Sequence, residues 1–190
     1  MSQRARRTVE PVYFCRLECS LGPVLMSSDG RNLTGLWFDG QKHAPAIGAH
    51  WVRDEAKAPF AETLAQLQAY AAGGLQVFEL PLVLQGTVFQ QRVWTALLEI
   101  GCGNTSSYAH IARRISAPLA MRAVGAAVGR NPVSVIVPCH RVLGSDGSLT
   151  GYAGGLSRKQ ALLAHEGMFD ADLVQHRPAL HFGPFAAQGR

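Results

Sequence analysis

The run Asn131-Pro132-Val133-Ser134-Val135-Ile136-Val137-Pro138-Cys139-His140-Arg141-Val142 sets a nucleophile beside a base and a cation. A thiol attacks as its thiolate, so a neighbouring imidazole that accepts the proton and a positive charge that stabilises the anion both favour attack. Val133–Val137 is apolar and β-branched, which predicts a buried, extended segment ended by Pro138, with Cys139 directly after it. The competing reading of a lone thiol is an inert buried residue. The other cysteines, Cys15, Cys19 and Cys102, make no disulfide framework with it. Cys15 and Cys19 with His43 and His50 could be drawn as a zinc site, but the spacing is loose and Cys139 is remote. No metal and no cofactor is expected.

The elements that must position this run fall into two parts. Residues 1–11 form a basic, flexible leader. Residues 12–85 read as an α/β domain: strands at Val12–Leu17, Val24–Ser27 and Asn32–Phe38, with turns at Gly22-Pro23 and Asp29-Gly30. A loop is expected over Gln41–Ala58. A helix from Phe60 to Ala72 has Leu64, Leu67 and Ala71 on one face and ends at Gly73-Gly74; a further strand is expected at Val77–Leu84. Residues 86–167 read as mainly helical. Thr87 caps a helix through Leu98 that offers Val88, Val93, Trp94 and Leu97 to a core. Ser107 caps the helix Tyr108–Ile115, Ser116-Ala117-Pro118 breaks it, and another helix covers about 119–129. Two short helices across a tight turn form a helix-turn-helix pattern. Residues 168–190 form an extension in which Phe182-Gly183-Pro184-Phe185 stands out.

Composition narrows the class. With 190 residues, 47% hydrophobic and 16% charged, the chain can bury a core. No apolar run reaches the ~20 residues that span a bilayer, and no apolar stretch follows the basic N-terminus. A cytoplasmic protein is expected. The net charge of +5 arises wholly in 86–167, where Arg92, Arg113, Arg114, Arg122, Arg130, Arg141, Arg158 and Lys159 face only Glu99, Asp146 and Glu166. That asymmetry suits a polyanionic partner. In the last of these helices Ala123, Gly125, Ala126, Ala127 and Gly129 are small. Such a helix either packs tightly on a neighbour or lets its backbone approach a groove.

The chain resembles the methylated-DNA–protein-cysteine methyltransferases, which repair O6-alkylguanine. Pro138-Cys139-His140-Arg141-Val142 matches that family's active-site motif. Matches extend to Asn131-Pro132, Arg122-Ala123-Val124-Gly125, Thr150-Gly151-Tyr152-Ala153-Gly154-Gly155, Leu162-Leu163-Ala164-His165-Glu166-Gly167 and the helix opening Phe89-Gln90-Gln91-Arg92-Val93-Trp94. The likeness is close over 86–167 and looser but collinear over 12–85.

The resemblance implies a small antiparallel, ribonuclease-H-like sheet with a helix, followed by a winged-helix-like helix-turn-helix domain. It implies that Cys139 accepts the alkyl group once and irreversibly, activated through a water by His140, which Glu166 orients. Asn131 would tie the strand to the recognition helix, and Tyr108 would assist the leaving guanine. The flipped base would sit among Pro138, Val142, Tyr152, Ala153 and Val128. Arg122 would fill the gap that the base leaves. Ala123, Gly125, Ala126, Ala127 and Arg130 would meet the minor groove of double-stranded DNA. A monomer in solution is expected, with cooperative assembly on DNA left open, as is activity on O4-alkylthymine. The alternative is a DNA-binding or regulatory module that recognises lesions without chemistry. Cys139, His140 and Glu166 together discriminate, because binding alone does not require them.

Overall fold

The computed structural model describes residues 10–168. The leader before Glu10 and the extension after Met168, including Phe182–Phe185, lie outside the described residues. Four strands come first: β1 (Val12–Cys19), β2 (Gly22–Ser28), β3 (Leu33–Phe38) and β4 (Trp51–Arg53). β1 and β2 pair antiparallel through a loop of Ser20 and Leu21, so Gly22 belongs to the ladder and faces Cys19. At the next turn the Asp29 carboxylate accepts the N–H groups of Arg31 and Asn32. Gly30 there has φ +100°, a conformation that disfavours a side chain.

The sheet order is β3-β2-β1-β4. The expected antiparallel sheet is in fact mixed, because β4 pairs parallel to β1. β4 lies inside the segment expected to be loop; three residues are too few for a sequence period to reveal. The expected strand at Val77–Leu84 makes only an isolated bridge between Leu33 and Leu82. Pro81, which has no N–H, sits in this stretch and contributes its carbonyl to the Leu33 N–H. Helix α1 (Phe60–Ala71) buries Phe60, Leu67 and Tyr70.

Helix α2 (Val88–Leu98) opens with a capping box, the Thr87 hydroxyl accepting from the Gln90 N–H and the Gln90 side chain accepting from the Thr87 N–H. Its inner face is Val93, Trp94, Ala96 and Leu97; Val88, expected in the core, is 74% exposed at the first turn. After the two-residue β5 (Ser106–Ser107) come α3 (Tyr108–Arg114), capped by Ser107, and α4 (Met121–Gly129). The Trp94 indole N–H donates to the Ala127 carbonyl at 2.9 Å and fixes α2 against α4. A 3-10 turn at Cys139–Arg141 leads into β6 (Val142–Leu143), which pairs parallel with β5; α5 (Leu156–His165) follows.

The largest departure is at Val133–Val137. It is buried, as expected, but it is a compact turn and not a strand. Only Val133 bridges a neighbour, Leu36 of β3. Beyond it the Ile136 N–H returns to the Ser134 carbonyl and the Val137 N–H to that of Val133. Val135 sits at φ +70°, a region costing roughly 1–2 kcal/mol for an L-residue. β-Branched residues favour strands only where a ladder receives them, and here β3 bonds the segment through Leu36 alone, the Phe38 N–H being taken by Gln41 Oε1.

Candidate active site

Asn131 builds the turn that carries Cys139. Its side-chain amide N–H group donates to the Val137 carbonyl at 2.7 Å and lies 3.0 Å from the Cys139 Sγ, while its Oδ1 accepts the Val133 N–H. Asn131 thus clasps the turn and touches the Cys139 thiol; its backbone N–H meets the Val128 carbonyl at the end of α4. From the other side β3 supports the turn. The Leu36 N–H donates to the Pro132 carbonyl and its own carbonyl accepts from Ser134, whose hydroxyl meets Gln41 Oε1 at 2.9 Å.

Cys139 is 4% exposed. Burial pushes its thiol up to about 11, against the lowering effects of Asn131, the Lys159 charge and the N–H groups of Cys139 and His140. The imidazole and the cation that the sequence sets beside Cys139 therefore do not make it a resting thiolate: at neutral pH the group is a thiol, and attack requires a base to take its proton.

His140 is fully buried, with Nε2 2.9 Å from Glu166 Oε1. Burial would raise the Glu166 carboxyl, but His140 and Arg141 hold it far below the usual carboxylate range. Arg141 grips both oxygens, Nε to Oε2 and Nη2 to Oε1, each at 2.8 Å. An ionised carboxylate can only accept, so Nε2 carries the hydrogen and Nδ1 is the free base. Nδ1 is buried without a hydrogen-bond partner among the described residues. Burial holds the imidazole below its ordinary pKa although Glu166 opposes this. The base is neutral at rest.

The cation expected beside the thiolate was Arg141, but its charge is committed to Glu166. Lys159 acts on Cys139 instead. Lys159 is fully buried, and its ammonium donates to the carbonyls of Val142 at 2.5 Å and Thr150 at 2.7 Å. Burial brings it down to about 8. Next to Arg158 it reads as part of a solvated face. The available signal was helical spacing, since Lys159, Leu162 and Glu166 recur on one face. Tyr70 was missed too: its hydroxyl donates to Glu166 Oε1 at 2.8 Å from α1.

Tyr108 opens α3 half-buried, its hydroxyl 3.4 Å from the Gly151 carbonyl. Burial raises its phenol, and so does proximity to Cys139. The same two causes raise Tyr152. Both phenols lie close enough to the thiol for its charge to act on them, and both remain protonated at neutral pH. Ala153 is held by its carbonyl, which accepts the Lys42 N–H; Pro138, Val142 and Val128 are buried around the turn.

On α4, Arg122, Ala123, Ala126 and Arg130 are exposed and Gly125 is half-buried. A side chain on Gly125 would come 3.9 Å from the Tyr108 ring, so the smooth face of α4 adjoins the site. Ala127, expected on that face, is 3% exposed and faces inward, because its position is one with Val124 and Val128 in the core. Leu119 and Met121, just ahead of Arg122, are exposed apolar residues.

Two family models together cover nearly all the described chain. The 6-O-methylguanine DNA methyltransferase ribonuclease-like domain matches 12–84, and the DNA binding domain of the same name matches 88–168. A methylated-DNA–protein-cysteine methyltransferase of Mycobacterium tuberculosis is 47% identical over 155 residues, 82% of this chain and 92% of that protein. One from Methanosarcina mazei is 46% identical over 155 residues, 82% and 97% of the two chains. Among solved structures, Mycobacterium tuberculosis OGT in complex with DNA superposes with a TM-score of 0.75 at 44% identity, covering 88% of this chain and 98% of that one.

Proposed function

The chain belongs to the 6-O-methylguanine DNA methyltransferase family, and from that premise we propose that its repair reaction runs through Cys139 as acceptor, His140 as base and Glu166 as the group that orients the base. The protein is a direct-reversal DNA repair enzyme, a methylated-DNA–protein-cysteine methyltransferase. It uses itself up, because the thioether product is stable. The observation that carries the residue assignment is the buried chain His140, Glu166, Arg141 next to the buried Cys139, in which an ionised carboxylate fixes the imidazole tautomer.

The reaction balances without a cofactor, since the alkyl group arrives on the substrate. His140 Nδ1 takes the thiol proton through a water. The Sγ–carbon bond forms as the O6–carbon bond breaks, and the guanine leaves as an anion. Tyr108 donates a hydrogen bond to that anion, and the proton held by His140 returns to it. Lys159 and the Asn131 amide stabilise the thiolate while it forms. The lesion, O6-alkylguanine and also O4-alkylthymine, reaches Cys139 by leaving the stack of double-stranded DNA, an unstacking that costs a few kcal/mol. Arg122 fills the gap. Ala123, Gly125 and Ala126 let the α4 backbone come close to the minor groove, and Arg130 meets a phosphate. Pro138, Val142, Ala153 and Val128 line the pocket around the base, with Tyr152 as its wall.

In this reading 12–85 forms a ribonuclease-H-like support and 86–167 the winged-helix-like DNA-binding and transfer domain. The molecule acts as a monomer in the cytoplasm. With a tenfold excess of O6-methylguanine duplex, one guanine should be restored per protein and then none. Continued turnover, or binding without restoration, would remove the proposal, the latter leaving a lesion-binding module.

A further inference from the structure

Resting on that reading, we propose that Tyr70 is a positioning residue of the transfer reaction: from α1 its phenol donates to Glu166 Oε1, the same oxygen that holds His140, and so sets how tightly the carboxylate grips the imidazole. Tyr70 is 1% exposed and lies 96 residues away from Glu166 in sequence. It is held at three points by two consecutive residues of the second domain. Its hydroxyl meets Glu166 at 2.8 Å, its backbone carbonyl accepts from His165 Nε2 at 2.7 Å, and its ring meets the His165 ring edge-on at 5.0 Å between centroids.

The consequence lies in the sharing of one oxygen. Oε1 accepts from His140 Nε2, Arg141 Nη2 and the Tyr70 hydroxyl; Oε2 accepts from Arg141 Nε and, at 3.4 Å, the Gly103 N–H. Each donor draws negative charge from the carboxylate and leaves less for the His140 bond. Arg141 and Gly103 come from the same domain as the site. Tyr70 is the donor by which the first domain reaches it. The other groups acting on His140 are Glu166, Arg141 and Lys159, and those acting on Tyr70 are Glu166, Arg141 and Cys102. A phenylalanine would fill the same space, so packing alone does not account for the hydroxyl.

Two substitutions test this in the full-length protein. Tyr70→Phe removes the donor; Tyr70→3-fluorotyrosine keeps the shape and makes a stronger one. In 15N-histidine-labelled protein at fixed pH, the His140 Nε2–H resonance should move downfield in the first and upfield in the second. In single-turnover transfer the acidic limb, where His140 must lose its proton, should move up by about half a pH unit in Tyr70→Phe, the size of one net hydrogen bond. It should move down in the fluorinated protein. Should Tyr70→Phe fail to fold, the fluorinated protein carries the test alone. An unmoved Nε2–H and an unmoved limb, with only a lower Tm in Tyr70→Phe, would reduce Tyr70 to packing. Should the wild type transfer nothing, the repair reading fails, yet the resonance still decides the role of Tyr70.

Discussion

Cys139 and His140 are both neutral at rest, and that condition makes the chemistry pH-dependent in a definite direction. Burial holds His140 below its ordinary pKa of 6.5, so it remains a free base under mildly acidic conditions. Single-turnover transfer should therefore stay level down to pH 6.5 and fall only below it, as Nδ1 gains a proton. Stability follows the same sign. Both His140 and Glu166 have folded pKa values below their unfolded ones, so the unfolded chain binds more protons as pH falls. Denaturant midpoints should decline from pH 6.5 downward, and further below pH 4.5, where the unfolded chain protonates Glu166 and the folded one does not; neither group adds a slope above pH 6.5. A midpoint that rises on acidification contradicts this. Lys159→Met removes the charge acting on Cys139 and leaves the carbonyls of Val142 and Thr150 without their buried donor. It should slow transfer at neutral pH by about tenfold, equivalent to roughly one pKa unit, and lower stability by about 1–3 kcal/mol. Stopped-flow transfer and urea unfolding read the two effects separately.

Helix α4 joins two jobs on opposite faces. Its inner face, Val124, Ala127 and Val128, is core; its outer face, Arg122, Ala123 and Ala126, is exposed. A bulky residue outside should leave the fold alone. Ala126→Leu is expected to keep the wild-type Tm and weaken duplex binding by about tenfold, because the proposed groove contact depends on a close backbone; fluorescence anisotropy with a melting curve checks both. The helices and their caps were legible because their signals are local: Thr87 with Gln90, Ser107, and the periodic apolar faces of α1 and α2. The proposed nucleophile, its proposed base and the distant carboxylate were singled out through motif. What the sequence hid is tertiary. Val133–Val137 has strand propensity, yet the Asn131 amide and the edge of β3 fold it into a turn. β4 is too short to show a period. Lys159 looks solvated beside Arg158, and Tyr70 meets Glu166 only when the two domains close on each other.

The charge asymmetry looks different in the folded molecule. Of the eight basic residues in 86–167, Arg141 is committed to Glu166, Lys159 is buried on carbonyls, and Arg158 lies 4.1 Å over the Phe38 ring while donating to the Gly154 carbonyl. Arg114 pairs with Glu99. Arg113, Arg122 and Arg130 remain exposed, as does Arg92, whose guanidinium also donates to the Ile115 carbonyl. If these four meet phosphates, log affinity against log salt should have a slope of about −3 to −4, well short of the value for eight contacts. Of the three internal cations, Arg158 reaches the first domain at Phe38, while Arg141 and Lys159 bind groups of the second; no helix among the described residues is long and apolar enough to cross a membrane. The whole arrangement serves one event, and one measurement reads it: intact mass and peptide mapping after mixing with an O6-methylguanine duplex, beside a Cys139→Ala control. The account predicts a gain of one methylene on every wild-type molecule, located at Cys139 and absent from the control. An unchanged mass, or a methyl group on Cys15, Cys19 or Cys102, would contradict it.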